Sequence, residues 1–107
     1  MLSQTNIQQL VQEIVKGYQP EKIYLFGSYA NGTPNAESDI DLFIIKNTSK
    51  TRKDRTIELL NSLKYYPANS GVDFIIYTPE ELQTVQNDVV NIAKEAVKTG
   101  KLLYERV

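Results

Sequence analysis

Three short runs of β-branched and aromatic residues, set between segments of helical periodicity, most constrain what this 107-residue chain can become. They are Lys22 to Phe26 (KIYLF), Ser38 to Ile45 (SDIDLFII) and Val72 to Tyr77 (VDFIIY). Such residues suit a pleated, buried surface, and short runs bounded by turn residues read as strands. Before the first run, Ile7, Leu10, Val11, Ile14 and Val15 recur at helical spacing and lead to Tyr18. This predicts an amphipathic helix capped by Ser3 or Thr5, with Gly17 near its end and Pro20 as the break. Gly27 to Glu37 holds two Gly, a Pro and two Asn, and reads as loop.

Lys46 to Lys50 reads as a polar turn. A helix is expected from about Arg52 to Tyr65, with Ile57, Leu60 and Leu63 on its apolar face. Pro67 to Gly71 reads as loop. Thr78-Pro79-Glu80-Glu81 is a strong helix start: Thr at the cap, Pro at the first position and Glu three residues after the cap. Leu82, Val85, Val89, Ile92, Ala93 and Ala96 extend that helix's apolar face up to Gly100. Lys101 to Tyr104 is placed to add a short closing strand. The order predicts one α/β (α+β) domain over residues 1–107, a small mixed β-sheet covered by helices, with the first two strands antiparallel.

The absence of Cys and His narrows the chemistry. It excludes disulfides and Ser-His-Asp or Cys-His nucleophile systems, and removes the favoured zinc ligands. Acid–base or metal chemistry must run on carboxylates, Lys or Tyr. Oxygen ligands favour a hard cation such as Mg²⁺ or Mn²⁺. A net charge of -1 gives no global footprint for nucleic acid. No apolar run approaches a membrane span, and MLSQTNIQQL lacks the features of a signal peptide, so a cytoplasmic protein is expected.

The informative stretch runs from Gly27-Ser28 to Asp39-Ile40-Asp41. Strand side chains alternate faces, so Asp39 and Asp41 project from one side while Ile40, Leu42 and Ile44 face the other. Two carboxylates so placed repel each other unless a cation lies between them. Asp73 opens the third strand as its sole charged residue. It joins the same cluster if strands two and three are neighbours. A third carboxylate could ligate a metal and take a proton from an acceptor hydroxyl. Gly27 allows close approach to a phosphate, which the Ser28 hydroxyl and nearby amides could cradle.

GSYANGTPNAESDIDLFII resembles the signature of the nucleotidyltransferase superfamily that includes DNA polymerase beta: Gly-Ser, a short spacer, then Ser-Asp-x-Asp and apolar residues. The small size and the C-terminal GKLLYER look like its minimal nucleotidyltransferase branch, the MntA type. The resemblance implies a polymerase beta-like fold, nucleotide binding by Gly27, Ser28 and Ser38, and two metal ions held by Asp39, Asp41 and Asp73. It implies transfer of a nucleoside monophosphate, AMP from ATP, onto a hydroxyl of a small helical HEPN-type toxin, with the chain as antitoxin. The sequence departs from many relatives at Asn31, where they carry a basic residue; this puts rate and substrate choice in question.

Taken singly, these features are weak. Asp-x-Asp pairs occur by chance, and a Ser after Gly often bonds its own turn. GSYANGT has its two Gly at P-loop spacing but Thr33-Pro34 where Lys-Ser or Lys-Thr belongs, so it is not a Walker A site. Lys46, Lys50, Arg52, Lys53 and Arg55 form a basic cluster that reads first as a solvated turn and helix start. The alternative to an enzyme is a non-catalytic antitoxin or subunit that sequesters its partner. Nucleic-acid binding is the weaker third reading, and homo- or hetero-oligomerisation stays open.

Overall fold

The computed structural model of the chain describes residues 4–26, 40–63, 72–85, 98 and 100–106. Their order is α1 (Gln4–Tyr18), β1 (Lys22–Phe26), β2 (Ile40–Ile45), α2 (Arg52–Ser62), β3 (Val72–Tyr77), α3 (Pro79–Thr84) and β4 (Lys101–Glu105). The four strands form one sheet in the order β3-β2-β1-β4. β1 runs antiparallel to both β2 and β4, whereas β2 and β3 are parallel. Parallel neighbours need a crossover, and α2 lies in it. The mixed sheet and the antiparallel first pair are as expected from sequence.

Strand alternation divides the apolar residues between two faces. On one face Ile23, Leu25, Leu42, Ile44, Val72 and Ile76 pack with Leu10 and Ile14 of α1 and Leu59 of α2. On the other, Tyr24, Phe43, Ile45 and Tyr77 form a second cluster, reached by Leu82 and Val85. Its rings meet at tilted angles, with centroids 6.3 Å apart for Tyr24–Phe43 and 5.3 Å for Phe43–Tyr77. Tilted aromatic pairs add to the burial of their area.

Each of the three helices departs in part from expectation. α1 already includes Thr5, so Thr5 is not its cap, and Ser3 lies outside the described residues. Gly17 is the penultimate residue of α1, near its end as expected. The stop is Gln19, in the left-handed region at φ 56, whose N–H donates to the Ile14 carbonyl at 3.2 Å just before Pro20. Gly17 permits close contact of two helices: a Cβ there would sit 2.7 Å from the Ser62 carbonyl oxygen.

α2 ends at Ser62, because Leu63 is extended, and does not reach Tyr65. Its core face is also turned from the expected one. Ile57 and Leu60 are 47% and 41% exposed, while Arg55 and Leu59 are buried; of the expected face only Leu63 meets the core. The sheet is met by positions 55 and 59, one turn apart, because the buried Arg55 has partners there.

The cap of α3 is as expected. The Thr78 hydroxyl accepts from the Glu81 N–H at 3.1 Å, the Glu81 carboxylate accepts from the Thr78 N–H at 2.9 Å, and Pro79 opens the helix. α3 ends at Thr84, however, where the sequence suggested an unbroken helix. Val89, Ile92, Ala93 and Ala96 lie outside the described residues. β4 reaches Glu105, one residue past the expected strand, and pairs with β1 through an irregularity opposite Ile23 and Tyr24.

Arg55 ties these elements together. Its Nε donates to the Lys50 carbonyl at 2.8 Å and its Nη1 to the Ile76 carbonyl at 3.1 Å. Nη1 and Nη2 also grip the two oxygens of Glu81, at 2.8 and 3.2 Å. One side chain thereby joins the β2–α2 turn, β3 and the α3 cap. The Arg55 hydrogen bonds are the main reason the Glu81 carboxyl titrates below its ordinary range, and burial works against them.

A lowered carboxyl pKa means that this stabilisation is complete above the unfolded Glu pKa and fades as pH falls through the native value. Arg55→Met is therefore expected to cost about 3 kcal/mol at neutral pH, the low end for breaking a buried pair because Glu81 is partly exposed. The penalty should shrink below about pH 4. Urea melts of both proteins between neutral and acidic pH check this. Gly17→Val should lower the urea midpoint, by about 1–3 kcal/mol of overpacking against Ser62.

Candidate active site

β2 and β3 each carry an aspartate as their second residue. The register sets Asp41 directly beside Asp73, with Ile40 opposite Val72 before them and Leu42 opposite Phe74 after them. Adjacent strands lie about 4.8 Å apart, so the two carboxylates share one small volume at the start of both strands. By alternation they project on the face of Phe43 and Tyr77, the side that α3 covers. Asp41 is half-buried and Asp73 exposed. The adjacency of strands two and three, on which a shared carboxylate site depends, is therefore present.

On its other side Asp41 is paired with Phe26, the last residue of β1. A row of Asp73, Asp41 and Phe26 crosses the sheet at one end. Phe26 is half-buried and packs against the Tyr24–Phe43 cluster. It gives the pair an apolar flank that sequence reasoning had not singled out; its signal is its place as the last apolar residue before Gly27. Gly27, Ser28, Ser38 and Asp39 lie outside the described residues, as does Asn31.

Like charges on directly opposed strand positions destabilise a sheet by roughly 0.2–1 kcal/mol. Positive charge brought between the two carboxylates relieves that repulsion. Closely spaced carboxylate oxygens are hard donors and fit a divalent cation of the Mg²⁺ or Mn²⁺ kind.

The basic cluster has a different fate. Lys46 Nζ donates to the Tyr18 and Gln19 carbonyls at 2.7 and 3.2 Å, and Lys50 pairs with Glu58 at 3.0 Å. The Arg52 guanidinium lies 4.2 Å from the centre of the Tyr77 ring. Lys50, Arg52 and Lys53 are exposed, as a solvated turn and helix start requires, whereas Arg55 is buried on Glu81 and spent on the fold. Among the described residues no helix is long and apolar enough to cross a membrane.

Residues 8–107 match the sequence model of the family described as "Polymerase beta, Nucleotidyltransferase". The chain belongs to this nucleotidyltransferase family. No curated protein matches it. Its structure is similar to that of a protein from Sulfolobus solfataricus provisionally named a nucleotidyltransferase. The TM-score is 0.63 at 22% identity, over 94% of this chain and 78% of that one. It is also similar to a toxin–antitoxin structure with AMP-PNP, with TM-score 0.57 at 23% identity over 92% and 73% of the two chains. A mutant of the toxin–antitoxin MntA-HpeT gives TM-score 0.54 at 21% identity over 98% and 75%. At these identities the likeness establishes the fold, which is the polymerase beta-like nucleotidyltransferase fold.

Removing one charge of the opposed pair should relieve the repulsion. In EDTA, Asp73→Asn is expected to melt at the same temperature as wild type or slightly above it, by roughly 0.2–1 kcal/mol of stability. Adding Mg²⁺ should raise the wild-type melting temperature and leave that of Asp73→Asn nearly unmoved. Differential scanning calorimetry with and without the cation checks both halves.

Proposed function

We propose that the chain moves AMP from ATP onto a hydroxyl of a partner protein, a small helical HEPN-type toxin, and so acts as its antitoxin. The observation that carries the chemical half is the in-register pair Asp41 and Asp73, beside the strand that leads into Gly27-Ser28. The partner half is supported by the likeness to toxin–antitoxin structures, one of them with AMP-PNP.

In this reading Gly27, Ser28 and Ser38 bind the phosphates, and Asp39, Asp41 and Asp73 hold two divalent cations, Mg²⁺ or Mn²⁺. The bound cations would neutralise phosphate charge on both sides of the scissile bond. Asp73 is also the natural base. Its carboxylate would take the proton of the acceptor hydroxyl as the oxygen attacks the α-phosphorus. The bond from the α-phosphorus to the bridging oxygen breaks, and pyrophosphate leaves with the bonding pair. Phe26 would keep water from one side of Asp41, where a drier surrounding strengthens its hold on positive charge. The reading places the chain in the cytoplasm, as a single domain.

The test is transfer of label from ATP in Mg²⁺ to proteins of the source cell. Label on the α-phosphate should reach a small acceptor protein, label on the γ-phosphate should not, and Asp41→Asn should transfer at least about 10²-fold more slowly. Absence of transfer from all four nucleoside triphosphates would leave the non-catalytic partner-binding subunit as the better account.

A further inference from the structure

α3 has little of its own to hold it in place. Six residues are too few for a helix to persist alone in water. It buries no residue fully, and its apolar contacts are those of the half-buried Leu82 and its C-cap Val85 with the cluster of Tyr24, Phe43, Ile45 and Tyr77. What fixes it is polar and lies at its N-terminal end. The Thr78–Glu81 capping box closes the first turn, and Arg55 grips both oxygens of Glu81.

Arg55 has a neighbour in this. Arg52, one turn earlier on α2, lays its guanidinium on the Tyr77 ring, while Arg55 donates to the adjoining Ile76 carbonyl. Between them they hold the point where β3 turns into α3. The two are not equivalent. Arg52 is exposed, and its ring contact is a modest attraction. Arg55 is only 6% exposed, and its two-pronged fit to a carboxylate is one that Lys cannot reproduce.

The direction taken at this junction reaches the carboxylates. Tyr77 and Asp73 lie on one face of β3, four residues and so about 13 Å apart. α3 begins just past Tyr77, and because Leu82 and Val85 both meet the cluster it heads back over that face. Six helical residues span about 9 Å, which carries α3 a large part of the way toward Asp73. A short helix fixed at one end swings most at the other. Slack at Glu81 is therefore felt most at Leu82 and Val85, on the carboxylate side.

We infer that Arg55 is a positioning residue for the nucleotide site: α3 is the wall of that site on the carboxylate face, and Arg55, through Glu81, sets where the wall stands. This rests on the proposed reading that Asp41 and Asp73 hold cations together with a nucleotide. Arg55 itself acts from the far end of β3, through its bonds to Ile76 and Glu81.

The probe is Mn²⁺ with an ATP analogue bridged by a methylene between the α- and β-phosphates. Binding is followed by electron paramagnetic resonance at a temperature where every variant is folded. Arg55→Met and Glu81→Gln should each weaken Mn²⁺ binding about tenfold. Arg55→Lys keeps the charge without the fork and should recover only part of that loss. Amide hydrogen exchange at Leu82 should quicken in the same order. Gly17→Val, which strains the α1–α2 contact, is the control for stability and should bind Mn²⁺ as wild type does. Full Mn²⁺ affinity in Arg55→Met and Glu81→Gln would overturn the inference. So would a loss in Gly17→Val as large as theirs, since stability alone would then be the cause. Wild-type protein that binds no Mn²⁺ with the analogue would instead overturn the reading of the carboxylates as a metal site, whereas normal wild-type binding with unaffected variants counts against Arg55 alone.

Discussion

Carboxylates at matched positions of neighbouring strands sit in one another's field, and nothing about sheet stability rewards putting them there. Asp41 and Asp73 occupy such positions on β2 and β3. The rest of the structure can be understood as what is needed to hold them so. A parallel register fixes which residues oppose each other. A slip of one residue would bring Val72 or Phe74 opposite Asp41 and turn apolar side chains out of their cluster. The apolar positions Leu42, Ile44 and Ile76, buried on one face, and Phe43, Ile45 and Tyr77, buried on the other, fix that register.

Two further devices hold β3 in place. The crossover through α2 returns the chain parallel to β2. Arg55 then binds the β2–α2 turn, the Ile76 carbonyl and the Glu81 carboxylate together. A buried ion pair is weak support for stability as such, because desolvation offsets the attraction. Here it serves geometry. It joins the far end of β3, away from Asp73, to the elements before and after it.

How much of this was legible in the sequence varied with the range of the interaction involved. Strands β1 and β3 and the α3 cap are set by local chemistry, and KIYLF, VDFIIY and Thr78-Pro79-Glu80-Glu81 showed it directly. The end of α1 was legible from Gly17 and Pro20, but what Gly17 touches was not. Its role is contact with Ser62, a residue far off in sequence. The face of α2 was misread because apolar pattern alone favours Ile57 and Leu60 as core. A buried Arg55 is invisible until its partner Glu81 is brought within reach. In the site, Asp39-Ile40-Asp41 after Gly27-Ser28 announced itself as a motif. Asp73 was only a charged residue in an apolar strand, and its place beside Asp41 required the strand pairing. Phe26 had no chemical mark and appears only through its pairing with Asp41.

The central claim is that the matched aspartates exist to share a cation with bound nucleotide. Electron paramagnetic resonance of Mn²⁺, in the presence of an unreactive ATP analogue, measures this directly, because free and bound ions give distinct signals. The account predicts saturable binding that weakens at least about tenfold in Asp41→Asn and also in Asp73→Asn, with both variants folded. Mn²⁺ binding unchanged in Asp73→Asn would contradict it, and would reduce the β3 aspartate to a neighbour of the site.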